Sequence, residues 1–197
     1  FDFAVTVGPS APAGDLKTVL AWMRANPDKA NFATSGAGTV PHFAGVLLSQ
    51  AAGIPMTHVA YRGGALAAQD LIGGQVPMMI DTLSETLEHH KAGKVRIIAV
   101  TGEQRTRSLP DVPTLRELGI NTAADAFFGL YGPAGMSSDV TARVDAAVGS
   151  ILRDAAVQDK ITNFGLVASH AGPAELMNTQ LAHYRRWEAP IKASGFK

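Results

Sequence analysis

Strand and helix patterns alternate along this chain, and no other feature limits its fold as much. A strand that leads into a helix and then into another strand favours parallel pairing, because parallel neighbours need a long crossover and a helix supplies it. Phe1–Val7 reads as an opening strand, followed by the turn Gly8–Pro12 and a helix from about Asp15. Leu16, Val19, Leu20 and Met23 recur at helical spacing, and the helix should stop near Asn26-Pro27, since the residue before a proline avoids the helical region. Next come a strand at Asn31–Thr34, a glycine-rich turn and a helix carrying Phe43, Val46 and Leu47 that ends by Gly53. The device repeats: strand Met56–Ala60, the turn Tyr61-Arg62-Gly63-Gly64, a short helix to Ile72, and strand Val76–Ile80.

Residues 84–92 read as a polar helix, and the unbroken apolar run Val95–Val100 as a buried parallel strand. The loop Leu109-Pro110-Asp111-Val112-Pro113-Thr114 leads to a predicted short helix Leu115–Leu118, capped by Thr114 and closed by Gly119. A strand is expected at Phe127–Tyr131, and beyond Gly132-Pro133-Ala134-Gly135 the pattern turns helical. One helix over 138–153 places Val140, Val144, Ala147, Val148 and Ile151 on one face. A second carries Val157, Ile161 and Phe164, and a third carries Leu176, Gln180, Leu181 and Tyr184. This change of character puts a boundary near residue 126.

Composition removes several classes of function. With 17 basic and 17 acidic residues in 197, there is no polycationic footprint for nucleic acid or anionic lipid. No run approaches the roughly 20 apolar residues of a membrane span, so no direct membrane insertion is expected. The absence of cysteine excludes disulfides, thiolate metal sites and cysteine nucleophiles. The chain opens on Phe1-Asp2-Phe3-Ala4-Val5-Thr6-Val7, inside a strand and without a charged leader, so residue 1 is expected to be an internal position of a longer protein.

The candidate site is Thr34-Ser35-Gly36-Ala37-Gly38-Thr39-Val40-Pro41-His42, between a strand and a helix. There, main-chain N–H groups lack partners and the helix dipole is positive, which suits an anion such as a carboxylate. Gly36 and Gly38 let the backbone come close to a ligand, Ser35 and Thr39 supply hydroxyls, and Pro41 loses nothing in a first helical turn. His42 falls in that same turn, where the neutral imidazole is favoured. Spacing alone leaves open a plainer reading, in which the glycines only make a tight turn and Thr39 only caps the helix. Tyr61, Arg62 and Gly63 open the next helix and form a possible facing wall. Asp81 stands at a strand's carboxyl end, where open α/β sheets bind ligands, although it would serve equally as a helix cap.

Other chemistries fit worse. A dinucleotide fingerprint needs Gly or Ala where Pro41 stands, and a phosphate loop needs a Gly-Lys-Ser/Thr that is missing. The histidines show no metal-ligand spacing, so neither metal nor cofactor is expected. No Gly-x-Ser-x-Gly elbow is present, and nothing in the sequence holds Ser35, His42 and Asp81 in triad geometry, so no enzyme is expected.

Several stretches taken in order carry a more specific signal: Ala33–Thr39 with His42, His58–Gly64, Asp70–Val76, Ala92–Arg96, Ile98–Thr101, Arg105, Leu109–Thr114 with Glu117 and Gly119, Phe128–Leu130, Pro133–Gly135 and Trp187. Collinear over essentially the whole chain, they resemble the Bug family of extracytoplasmic solute receptors, the binding proteins of tripartite tricarboxylate transporters. Ala60 stands where the family usually has Pro, and Phe127 where it often has Trp.

The resemblance implies an α/β fold like that of type II periplasmic binding proteins, with one complete lobe and the C-terminal part of the other joined by crossing strands. Residues 1–8 would be a crossing strand, 9–125 the second lobe with half of the ligand cleft, and 126–197 a crossing strand and C-terminal helices of the first lobe, whose N-terminal segment has no counterpart here. Stripes such as Val144, Val148 and Ile151 would then lack their sheet. The implied function is capture of a small carboxylate in the periplasm, an amino acid, a di- or tricarboxylate or an aromatic acid, for delivery to the integral-membrane subunits of a tripartite transporter. Ser35, Gly36, Gly38, Thr39, His42, Tyr61, Gly63 and Asp81 would bind it. The competing classes are a ligand-sensing effector domain or a signalling receptor without transport, and a small hydrolase using Ser35 and His42.

Overall fold

The structure is a computed structural model that describes residues 1–122, 124–194 and 196. The chain divides into two units, Phe1–Ala126 and Phe127–Lys197. The first is built on a five-stranded sheet: β1 (Phe3–Val7), β2 (Asn31–Thr34), β3 (Thr57–Ala60), β4 (Met78–Thr82) and β5 (Arg96–Val100), in the order β3-β2-β4-β1-β5. Strand β2 pairs in parallel with β3 and β4, each reached through a crossover helix: α2 (Val40–Ala52) from β2 and α3 (Gly64–Ile72) from β3. Strand β1 runs antiparallel between β4 and β5. All five of its residues are buried, so it reads as a continuous apolar run broken only by Thr6, whose hydroxyl lies 2.9 Å from that of Thr86.

The parallel neighbour expected for Val95–Val100 is corrected by this topology. Strand β5 shares its direction with β2, β3 and β4, but its partner is β1, the first strand of the chain. Although β5 is the last strand in the order, it is buried because the proline loop covers its outer side: Val100 N–H donates to Pro113 O at 3.0 Å and Leu115 N–H to Val100 O at 2.9 Å. The predicted helix Leu115–Leu118 is a single turn. Thr114 and Glu117 close a reciprocal capping box, with Glu117 N–H on Thr114 Oγ1 at 3.1 Å and Thr114 N–H on Glu117 Oε2 at 2.8 Å, and Gly119 at φ +80° then turns the chain away. Strand β4 starts at Met78 rather than Val76, because Pro77 has no N–H to give a ladder. Phe127–Tyr131 is not a strand: the pairing of Asp2 with Asp125 is a single bridge, and it ends with Ala126 N–H on Phe1 O.

Helix α1 (Leu16–Ala25) is capped by Asp15, which accepts the Thr18 N–H at 2.8 Å, and it buries Leu16, Val19 and Met23. Helix α2 lies so close to β2 that a Cβ on Gly45 would fall within the Phe32 ring. On the other face, α3 brings Ala67, Ala68 and Leu71 against Ala33 and Met79. Helix α4 (Leu83–Lys91) brings Leu83 and Leu87 against Ala4 and Ile97.

The second unit holds α5 (Ser138–Leu152), α6 (Ala155–Asn163) and α7 (Pro173–Ala193). Ser137 and Asp154 cap the first two, through Val140 N–H and through the N–H groups of Ala156 and Val157. Their apolar stripes are largely exposed, including Val144 at 37% and Ile151 at 56%, and among the described residues Trp187 is this unit's only buried apolar residue of the core.

Candidate functional site

Because β2, β3 and β4 run the same way, their carboxyl ends open on one edge of the sheet, and each is followed there by a helix. This is the edge at which open α/β sheets bind ligands. Helix α2 points its N-terminus at it: Thr39 is the cap, accepting His42 N–H on Oγ1 at 3.4 Å, and Pro41 stands in the first turn. The cap and the anion seat do not compete, since capping occupies one N–H and leaves the positive end of the helix in place.

Strand register sorts the side chains by face. Ala33 pairs with Met79, so Ser35 and Asp81, two residues further along, meet on the same face. Ser35 N–H donates to Asp81 Oδ2 at 2.5 Å and its hydroxyl to Asp81 Oδ1 at 3.2 Å, while Thr82 N–H donates to Oδ1 at 2.9 Å. Asp81 is 4% exposed, and burial pushes its carboxyl above the ordinary carboxylate value although these three bonds pull it down. Gly63 N–H donates to Ser35 O at 3.1 Å, so Ser35 ties the loops after β2 and β3 to the end of β4. Gly63 sits at φ +114°, which disfavours any side chain there. Tyr61 gives its hydroxyl proton to Asp70 Oδ2 at 2.7 Å; burial and then that carboxylate push the phenol up to about 12. Glu85 of α4 lies against Gly64 at the start of α3, where it leaves no room for a Cβ, and burial followed by the charge of Asp81 raises its carboxyl.

The opposite face carries imidazoles. Phe32 pairs with His58, and the rings stack with centroids 5.1 Å apart; His42 from α2 stacks on His58 at 3.9 Å and 20°. Thr34 Oγ1 is 2.7 Å from His58 Nε2 and donates to Gly36 O at 3.0 Å. Gly38 N–H donates to His42 Nδ1 at 3.2 Å, which leaves the His42 ring proton on Nε2, and Thr39 Oγ1 donates to Gly36 O at 2.8 Å. Burial, and after it the neighbouring His42, lowers His58 to about 4; burial lowers His42 as well. The pair is therefore neutral at pH 7.

Of the eight residues singled out from sequence, Ser35, Gly63 and Asp81 are joined by hydrogen bonds, as are Gly36 with Thr39 and Gly38 with His42. Tyr61 turns its hydroxyl to α3, and Arg62 is exposed. His58, Asp70 and Glu85 have no site role in the sequence pattern, and Thr34 stands there only as the first residue of the candidate segment. For His58 the missing signal is the β2–β3 register, while Glu85 comes under the charge of Asp81 because α4 starts directly after the strand that carries Asp81. Among the described residues no group of three or more His, Asp or Glu could hold a metal ion.

A mixed α/β sheet that brings three strand ends and the N-terminus of α2 to one edge has the framework on which open α/β proteins bind their ligands. The chain belongs to the tripartite tricarboxylate transporter family of receptors, whose family model matches residues 1–196. It is 31% identical over 179 residues, 90% of this chain and 53% of the relative, to the UPF0065 protein in the tcbD-tcbE intergenic region of Pseudomonas sp. strain P51. Protein BugT of Bordetella pertussis is 25% identical over 194 residues, 98% of this chain and 60% of BugT. Among solved structures, R. palustris Rpa4515 with adipate superposes with a TM-score of 0.92 at 25% identity, over 98% of this chain and 65% of that one. MatC of Rhodopseudomonas palustris with bound malate gives 0.85 at 28% identity, over 96% and 66%. The periplasmic binding protein BugD gives 0.88 at 27%, over 100% and 67%. The fold is thus the mixed α/β fold of periplasmic binding proteins, and the family is one of solute receptors rather than an enzyme class. The chain spans about half the length of the first of these curated relatives.

Proposed function

We propose that this chain is part of a periplasmic receptor that captures a small carboxylate and hands it to the integral-membrane subunits of a tripartite tricarboxylate transporter. The loop of Ser35, Gly36, Gly38, Thr39 and His42 receives one ligand carboxylate, with Tyr61 and Gly63 on the facing side and Asp81 holding Ser35. Residues 1–8 and the stretch after 125 cross between two lobes, 9–125 form one lobe, and 126–197 belong to the other. The observation that carries this reading is the convergence of three strand ends and the α2 N-terminus on the loop 35–39, within a family of receptors. The diacids named with two structural relatives, adipate and malate, make a diacid the first class to test here.

The test is calorimetry on the full-length protein with adipate, malate, aspartate, citrate and benzoate. One of these should bind and raise the melting temperature in proportion to the logarithm of its concentration. Replacing Ser35 and Thr39 together by Ala should weaken that ligand at least tenfold. Unchanged affinity in the double variant would remove the loop from the site, and binding to none of the five acids would remove the carboxylate reading.

A further inference from the structure

We infer that Asp81 is a positioning residue: its buried carboxylate holds the Ser35 loop in the shape that seats the ligand and does not itself touch the ligand. The inference rests on the carboxylate reading above for its consequence, but its geometry stands by itself. Both oxygens of Asp81 are already engaged, Oδ2 by Ser35 N–H and Oδ1 by Ser35 Oγ and Thr82 N–H. With 4% of its surface exposed, the side chain offers a ligand almost no area to contact. All its partners lie on β4 and on the loop after β2, and through Ser35 O the same knot reaches Gly63 at the start of α3.

Burial makes a direct role still less suitable. A second carboxylate, Glu85, interacts electrostatically with Asp81, so an arriving ligand anion in contact with Asp81 would meet two negative groups. A carboxylate retained in that setting is better explained by what it holds. Without its two acceptors, the Ser35 amide and hydroxyl lose their partners, and the loop that carries Gly36, Gly38 and Thr39 loses its anchor to the sheet. Preorganised donors are worth more than mobile ones, because a ligand that has to order the loop spends part of its interaction energy doing so.

Two variants of the full-length protein test this, Asp81→Ala and Asp81→Asn. The amide can still accept the Ser35 N–H on its oxygen and can donate to the Ser35 hydroxyl, giving up only the acceptor of the Thr82 N–H, so it should recover most of what alanine loses at Ser35. In the ligand-free protein, amide exchange of residues 35–38 should quicken at least tenfold in Asp81→Ala and by no more than about threefold in Asp81→Asn, while α1 stays unchanged. With whichever of adipate, malate, aspartate, citrate or benzoate binds the parent protein, affinity should fall at least tenfold in Asp81→Ala and about threefold in Asp81→Asn. Equal tenfold losses in both variants would overturn the inference in favour of direct contact through the charge. A gain of affinity in Asp81→Ala would overturn it in favour of a carboxylate that competes for the seat. Unchanged exchange at 35–38 in Asp81→Ala would overturn the anchoring itself. If no acid binds the parent protein, the exchange result still decides the anchoring, and only the carboxylate reading fails.

Discussion

The two units of this chain use amphipathic helices in opposite ways. In Phe1–Ala126 the apolar faces of α1, α3 and α4 are buried, and Leu16, Val19, Met23, Leu71 and Leu87 are at most 2% exposed. In Phe127–Lys197 the stripes of α5 and α7 also recur at helical spacing, yet Val140, Val144, Ile151, Met177 and Leu181 stand between 37% and 56% exposed. Periodicity forms a helix in both units. Among the described residues only the first surrounds a sheet that receives it, so patterning and burial are separate facts, and stability should be concentrated where both hold.

The largest effects should therefore come from the first unit. Leu71, fully buried against β2 and β4, should cost about 2–5 kcal/mol when replaced by Ala. Gly45→Ala should cost about 1–3 kcal/mol by overpacking, since the added methyl group would fall within the Phe32 ring. Urea titrations measure both. A loss below about 0.5 kcal/mol at Gly45 would mean that α2 is free to move off β2.

An intermediate effect belongs to His58. Its folded-state value lies near 4 against an ordinary 6.5, so on acidification the unfolded chain takes up the proton first. Stability should then be unaffected by this group above pH 6.5 and fall as the pH drops from 6.5 towards 4, below which the contribution is complete. His58→Gln should flatten that part of the profile in urea titrations at several pH values. If the variant's stability fell as steeply as the parent's, His58 would not be the cause.

A smaller effect should arise where the proline loop covers β5. Glu117→Ala removes one side of the capping box and the exposed ion pair with Arg105, whose Nε lies 3.0 Å from Glu117 Oε2. Both the cap and the exposed pair are modest contributors, so a thermal melt should show a small fall in melting temperature, well below that of Leu71→Ala. Glu117→Gln, which keeps the acceptor, should recover about half of it.

Local chemistry was legible in the sequence, and long-range adjacency was not. Thr39 as cap, Gly53 as the left-handed stop of α2 and Asn26-Pro27 as the end of α1 each depend on a few neighbouring residues, and each stands where it was read. Which strand lies beside β5 depends on Ala4 meeting Val100 across most of the first unit, and no local pattern encodes that. Phe127–Tyr131 has strand composition but forms no strand, because a ladder needs a partner and composition does not supply one. The candidate site divides in the same way. Its loop could be located from Gly36, Gly38 and Thr39, whereas the Ser35–Asp81 link needs the register of Ala33 on Met79, and the imidazole stack needs that of Phe32 on His58.

The smallest predicted effect is the one that bears most directly on the contrast between the units. Ile151 lies on the α5 stripe at 56% exposure, so truncation to Ala removes area that water already reaches. A helix surface position of this kind responds mainly through propensity, and Ala is the better helix former, so the change in stability should stay within about 0.5 kcal/mol and can be favourable. The measurement is a urea titration of the 197-residue chain beside the same substitution in the full-length protein. Equal, near-zero effects in both would mean that the stripe faces water in each. A loss of about 2 kcal/mol or more confined to the full-length protein would mean that residues outside this chain bury Ile151, because only a covered side chain loses transfer energy and leaves a cavity when it is cut back. A loss of that size in the 197-residue chain itself would break the contrast, since the α5 stripe would then be packed as firmly as the α3 face around Leu71.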